Sequence, residues 1–157
     1  MCGITGIFDP GSRLSHLEQI LDAMTDSMTL RGPDDRGVFI DPALGVGLGH
    51  RRLSVIDLES TGRQPMVSAS ARHLIVFNGE IYNYRDLRQE LEREGVQFRT
   101  ETDTEVLLES CVHRGVRDTV DRLVGMFAFA FLDLDRREMS LVRDRVGIKP
   151  LLLWSDG

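Results

Sequence analysis

Short apolar runs and helical apolar stripes follow one another along the chain without forming repeated strand-helix-strand units. Ile4 to Phe8 is a compact apolar run closed by Asp9-Pro10-Gly11-Ser12, which predicts a buried strand ending in a turn. Leu14, Leu17, Ile20, Leu21, Met24 and Met28 then recur at helical spacing and predict a core-facing helix. Arg31-Gly32-Pro33-Asp34-Asp35-Arg36-Gly37 interrupts it, and short strands are expected around Val38 to Ile40 and Val46 to Val55. Leu74 to Phe77 is another β-rich run, predicted to break at Asn78-Gly79, where a sharp turn would expose backbone N–H groups. Asp86 to Glu94 and Asp103 to His113 read as helices, the second with Val106, Leu107 and Val112 at core spacing. Met126 to Leu134 and Met139 to Val142, joined by Asp135-Arg136-Arg137-Glu138, predict an antiparallel hairpin with Phe127, Phe129 and Phe131 on one face. This order favours an antiparallel α+β sandwich over a parallel doubly wound sheet.

Composition narrows the reading further. A chain of 157 residues with 41% hydrophobic content can bury the core of a single domain. Its net charge of -6 and pI near 5.2 supply no broad basic field, which argues against nucleic acid or an anionic membrane as partner. Cys2 and Cys111 cannot build a disulfide framework, and no Cys/His group has zinc-finger spacing, so no metal is expected and a reducing compartment is. Met1 is not followed by a basic start and a long apolar stretch, and no later run approaches a membrane span; the expectation is a soluble, cytoplasmic protein.

Cys2 admits two readings. A lone cysteine is usually a small apolar residue. Removal of Met1, however, would put a thiol and a free α-amine on the same residue. Such an amine, with a reference pKa of about 7.7 to 8.0, can take the thiol proton directly or through water, so the nucleophile would bring its own base.

The motifs then resemble one family along nearly the whole chain. They are Cys2-Gly3-Ile4 with Gly6-Ile7-Phe8-Asp9, Arg31-Gly32-Pro33-Asp34, and Gly49-His50-Arg51-Arg52-Leu53-Ser54-Val55-Ile56-Asp57. Gln64-Pro65, Phe77-Asn78-Gly79-Glu80-Ile81-Tyr82-Asn83 and Thr102-Asp103-Thr104-Glu105 follow, then Gly125-Met126-Phe127-Ala128-Phe129-Ala130, Arg143-Asp144-Arg145 and Gly147-Ile148-Lys149-Pro150. Together they resemble the class II, N-terminal-nucleophile glutamine amidotransferases, most nearly the glutaminase domain of glutamine-hydrolysing asparagine synthetases. The resemblance implies an αββα sandwich of two stacked, mainly antiparallel sheets over residues 1–157, without the synthetase domain.

It also implies roles for particular residues. Cys2 is the expected nucleophile, and the Asn78 side-chain amide with the Gly79 backbone N–H is the expected oxyanion hole. In isolation Asn78-Gly79 would suit a hairpin turn. Arg52 is expected to grip the glutamine α-carboxylate, and Asp103, helped by Glu80, its α-ammonium. An ordinary helix N-cap is the competing reading of Asp103. Val55 is expected to lend backbone contacts to the substrate, and Arg31 to support the wall of the site. No cofactor is implied for this domain; ATP and magnesium belong to the synthetase domain. L-Glutamine and a synthetase domain or subunit are the implied partners, and a homodimer is compatible with the pattern. Arg-Gly-Pro-Asp at 31–34, where relatives acting on sugar phosphates usually have tyrosine in place of proline, favours asparagine synthesis. A non-catalytic module that binds glutamine or docks a partner on the same fold, and a glutaminase serving another acceptor, remain alternatives. The phenylalanine-rich strand at Met126 to Leu134 is also a candidate wall for an ammonia path, against the simpler reading of core packing.

Overall fold

In the strand spanning Val46–Arg52 the side chains alternate between two environments, and this alternation explains the layering. Val46 and Leu48 pack with Leu74, Val76, Ala130 and Leu132 in a core between two sheets. The intervening glycines face a helix. A methyl carbon on Gly47 would lie 2.9 Å from Leu21 Cδ2, and one on Gly49 would lie 2.2 Å from Thr25 Oγ1. Any side chain at Gly49 would therefore push that helix off the sheet.

The computed structural model describes residues 2–11, 14–53 and 62–155. In chain order the elements are β1 (Gly3–Phe8), α1 (Leu17–Ser27), β2 (Asp35–Asp41), β3 (Val46–Arg52), β4 (Met66–Val67), β5 (His73–Ile81), α2 (Tyr84–Arg93), α3 (Asp103–Arg114), α4 (Val116–Arg122), β6 (Gly125–Asp133) and β7 (Glu138–Arg143). One sheet has the order β1-β3-β2 and the other β4-β5-β6-β7, with every pairing antiparallel. Helix α1 lies on the first sheet and α3 on the second, with α2 and α4 packed on α3. The result is the expected αββα sandwich.

Strand β5 is buried on both faces, which accounts for its unbroken apolar run. Leu74 and Val76 enter the inter-sheet core. Ile75, Phe77 and Ile81 enter a second core beneath the helices, shared with Leu87, Leu91, Val106, Leu107 and Leu108. Phe127, Phe129 and Phe131 of β6 alternate into this same helix-side core, where they act as packing residues.

Several sequence expectations need correction. Asn78-Gly79 does not turn: β5 continues to Ile81, with Asn78 opposite Ala128 and Gly79 opposite Phe127. A two-residue hairpin turn needs positive φ, and neither residue has it. The full-length partner strand β6 holds them extended instead. The first helix starts at Leu17, buries Leu17, Leu21 and Thr25, and leaves Leu14 and Ile20 exposed. Strand β4, only two residues long, and α4, a short polar helix, were not expected; neither offers enough periodicity to read. The predicted end of β3 at Val55 lies outside the described residues.

After β7 the chain is fastened by one carboxylate. Asp144 accepts hydrogen bonds from the N–H groups of Phe127 (3.2 Å), Ile148 (2.9 Å) and Lys149 (2.9 Å). Burial opposes its ionisation, but these donors prevail and hold its pKa down to about 2. A depressed carboxylate stabilises the fold above its unfolded value and loses that contribution as it protonates. Stability is therefore expected to fall between pH 3.8 and about 2 as Asp144 titrates. Urea unfolding across that range should show a shallower fall in Asp144→Asn than in the unsubstituted chain; parallel curves would refute the assignment.

Candidate active site

The alternation that builds the inter-sheet core also aims the chemistry. Continuing Val46 and Leu48 of β3 by two residues brings His50 and then Arg52 to the same face. Ile4 of β1 packs against the inter-sheet core, so Cys2, two residues earlier, shares its side. On β5, Leu74 and Val76 are followed on that face by Asn78 and Glu80. Gly3 pairs with Arg51, which sets Cys2 beside Arg52 where β1 begins and β3 ends. A thiol, an amide and a guanidinium thus meet at one end of the gap between the sheets. Arg51 points the other way, to Thr25 and Asp26 of α1, and takes no part.

Cys2 is half-buried, with its Sγ 4.0 Å from the Leu53 carbonyl oxygen, and its own carbonyl accepts a hydrogen bond from Arg31 Nε at 3.4 Å. Arg31 therefore supports the backbone that presents the thiol. Its position is secured by Gly32, where a side chain would strike the Arg51 and Arg52 backbone at 2.4 to 2.5 Å.

Hydrogen-bond directions along β5 explain Gly79. Phe127, opposite Gly79, has both backbone groups occupied on the β7 side: its N–H donates to the Asp144 carboxylate, and its carbonyl accepts from the Asp144 N–H at 2.8 Å. The Gly79 N–H must therefore point away from β6, across the edge of β5 beyond the end of the short strand β4. Its neighbours on this edge are occupied. Phe77 N–H donates to Gln64 Oε1 at 2.6 Å and Ile81 N–H to Asp103 Oδ2 at 3.1 Å. Gly79 also has a steric requirement, because a methyl carbon there would lie 2.2 Å from the Met126 carbonyl oxygen and 2.8 Å from Phe127 Cα. Asn78 is buried beside this N–H.

The guanidinium of Arg52 lies close to the start of α3, whose first residue is Asp103. A side chain on Gly62 would fall 3.0 Å from Arg52 Nη2 and 3.4 Å from the Thr102 methyl, so Arg52 and the residue before Asp103 border one space. Thr102, not Asp103, caps α3, accepting the Glu105 N–H at 3.3 Å; Thr102-x-x-Glu105 is a recognisable capping pattern. Asp103 is the first helical residue and is thereby free to reach the Ile81 N–H. Burial raises its pKa, the N–H groups of Ile81 and Thr104 partly offset this, and the nearby Glu80 charge raises it further. Such a carboxylate favours a cation beside it.

Of the residues singled out in the sequence, Cys2, Arg31, Arg52, Asn78, Gly79, Glu80 and Asp103 gather around this end of the sheets, whereas Val55 lies outside the described residues. Two residues given no role there also converge. Gln64 holds Phe77, and His50 is buried against the Phe77 backbone with its Nε2 lacking a partner among the described residues. Burial pushes the His50 imidazole down to about 4, so it is neutral at neutral pH.

Residues 1–157 match the family described as Glutamine amidotransferase domain. The chain is 45% identical to asparagine synthetase [glutamine-hydrolyzing] 3 of Bacillus subtilis, covering 100% of this chain and 25% of that protein. It is 37% identical to asparagine synthetase B [glutamine-hydrolyzing] of Escherichia coli, covering 99% of this chain and 27% of that protein. The chain thus spans about a quarter of the length of these curated relatives. A solved structure of glutamine phosphoribosylpyrophosphate amidotransferase from B. subtilis, complexed with ADP and GMP, superposes with a TM-score of 0.74 at 19% identity, over 96% of this chain and 38% of that one. The structure of the allosteric regulatory enzyme of purine biosynthesis superposes with a TM-score of 0.77 at 22% identity, again over 96% and 38%. These two likenesses bear out the sandwich.

The thiols should separate chemically. Cys111 is 3% exposed, and burial pushes its pKa up to about 12. Iodoacetamide at pH 8 under native conditions is expected to modify Cys2 and spare Cys111, read by peptide mass spectrometry. Equal labelling of both would contradict the packing described.

Proposed function

The chain belongs to the glutamine amidotransferase domain family, and from that premise we propose that it hydrolyses L-glutamine to glutamate and ammonia through a thioester on Cys2. The arrangement that supports this most directly is the convergence of Cys2, Asn78 and the outward Gly79 N–H on one end of the inter-sheet gap.

Each step follows from a group in place. With Met1 removed, the Cys2 α-amine accepts the thiol proton, and the thiolate attacks the side-chain amide carbon of glutamine. The carbonyl electrons move onto oxygen, where the Asn78 amide and Gly79 N–H donate to the oxyanion. Collapse breaks the C–N bond, the α-ammonium returns the proton to the departing nitrogen, and ammonia leaves. Water, deprotonated by the same amine, then attacks the thioester, releasing glutamate and the thiol. Arg52 holds the substrate α-carboxylate in a two-pronged hydrogen bond, while Asp103 and Glu80 hold its α-ammonium. The exposed side chain of Glu80 gives it a smaller share than Asp103, whose buried carboxylate acts through less solvent.

The ammonia is destined for a synthetase domain or subunit that forms asparagine from an activated aspartate, and ATP and magnesium act there. The relatives' printed names and the Arg31-Gly32-Pro33-Asp34 motif favour this acceptor. Among the described residues no helix is long and apolar enough to cross a membrane.

In the full-length protein with Met1 removed, Cys2→Ala is expected to lower glutaminase turnover by more than about a thousandfold. An active Cys2→Ala, or an inactive processed enzyme that nevertheless binds glutamine, would overturn the reading, the latter in favour of a binding module. Asp103→Asn should raise KM on the order of a hundredfold while changing kcat much less, because it removes a charge that holds bound substrate. KM should also rise as pH falls into the carboxylate range, beginning above the usual value because Asp103 is held high. A pH-independent KM would contradict the role of Asp103.

A further inference from the structure

We propose that Gln64 is a positioning residue for the oxyanion hole, an inference that rests on the glutaminase reading above. Its side chain is 8% exposed and engaged at both ends of its amide. Oε1 accepts the Phe77 N–H at 2.6 Å, and Nε2 donates to Thr104 Oγ1 at 3.4 Å. The first contact is short and the second long, so the grip on Phe77 dominates. Phe77 immediately precedes Asn78, and its N–H lies on the same strand edge as the Gly79 N–H, two residues on.

This edge needs an external support. Strand β4 pairs with Leu74 and Ile75, so from Phe77 onward β5 has a neighbouring strand on one side alone among the described residues. Gln64 and Asp103 occupy the N–H groups on either side of Gly79 and leave that of Gly79 facing outward. Asp103 also serves the substrate. Gln64 has no contact that requires ligand, and its effect passes through the backbone to the groups facing the oxyanion.

The backbone of Gln64 is seated with equal care. A methyl carbon on Gly37 of β2 would lie 1.9 Å from the Gln64 carbonyl oxygen, so glycine there lets the segment press against the first sheet. Gln64 thus ties β2, β5 and, through Thr104, the first turn of α3 to one another. These elements carry, or adjoin, the groups assigned to oxyanion and ammonium binding.

The test is steady-state glutaminase kinetics of the full-length protein with three substitutions, alongside thermal unfolding. Gln64→Met keeps length and removes both hydrogen bonds, Gln64→Asn keeps an amide that no longer reaches Phe77, and Gln64→Glu keeps an acceptor oxygen for Phe77. Gln64→Met and Gln64→Asn are expected to lower kcat roughly thirtyfold to a hundredfold with KM within about threefold, since misplacing an oxyanion donor acts on the transition state. Gln64→Glu should recover at least about a third of the unsubstituted kcat. Should Gln64→Met fail to fold, the contrast between asparagine and glutamate decides. Unchanged kcat in Gln64→Asn, a loss confined to KM, or equal losses in Gln64→Asn and Gln64→Glu would each overturn the proposal. An inactive unsubstituted enzyme would instead remove the glutaminase reading on which it rests.

Discussion

The site depends on which way one strand presents its N–H groups. Asp144 takes both backbone groups of Phe127, and this fixes the alternation of β6 against its neighbours. Once Phe127 faces β7, antiparallel geometry leaves the Gly79 N–H facing the edge of β5 away from β6. A backbone donor that faces outward between occupied neighbours is available to an acceptor, and one left unmatched when substrate closes over it would cost free energy comparable to a lost hydrogen bond. The remaining features of the site follow from keeping that edge extended, open and flanked by occupied neighbours.

Charge is then distributed around a fixed frame. Arg52 arrives on the inter-sheet face because it is in phase with Val46 and Leu48, while Arg51, one residue earlier, is taken by Asp26 on the opposite side of the sheet. Adjacent arginines therefore have unrelated tasks. Asp103 reaches the site because Thr102 caps α3 in its place, and burial leaves its carboxylate favouring a nearby cation. A guanidinium close to the start of α3 and a carboxylate on the first residue of that helix suit the two charged ends of an amino acid, which leaves the third substituent of its α-carbon to be directed toward Cys2.

Much of this was legible from the residues. The apolar periods placed α2, α3 and the β6-β7 hairpin within a few residues, and the alternation of Phe127, Phe129 and Phe131 identified one face of the core. Asn78-Gly79 was misread as a turn because local turn preference is overridden when nine residues of β5 pair continuously with β6. Gln64 received no role because its partners, Phe77 and Thr104, are 13 and 40 residues away and no local pattern announces them. Asp103 was open to reading as a cap, although Thr102-x-x-Glu105 already marked the better candidate one residue earlier.

The most direct test is the structure of the processed protein after reaction with a glutamine analogue whose amide is replaced by an electrophilic ketone. The account predicts a bond from the ketone side chain to Cys2 Sγ, with the ligand oxygen about 2.7–3.1 Å from both Asn78 Nδ2 and the Gly79 nitrogen. A Cys2 adduct whose oxygen turns to solvent, or meets donors other than these, would contradict it.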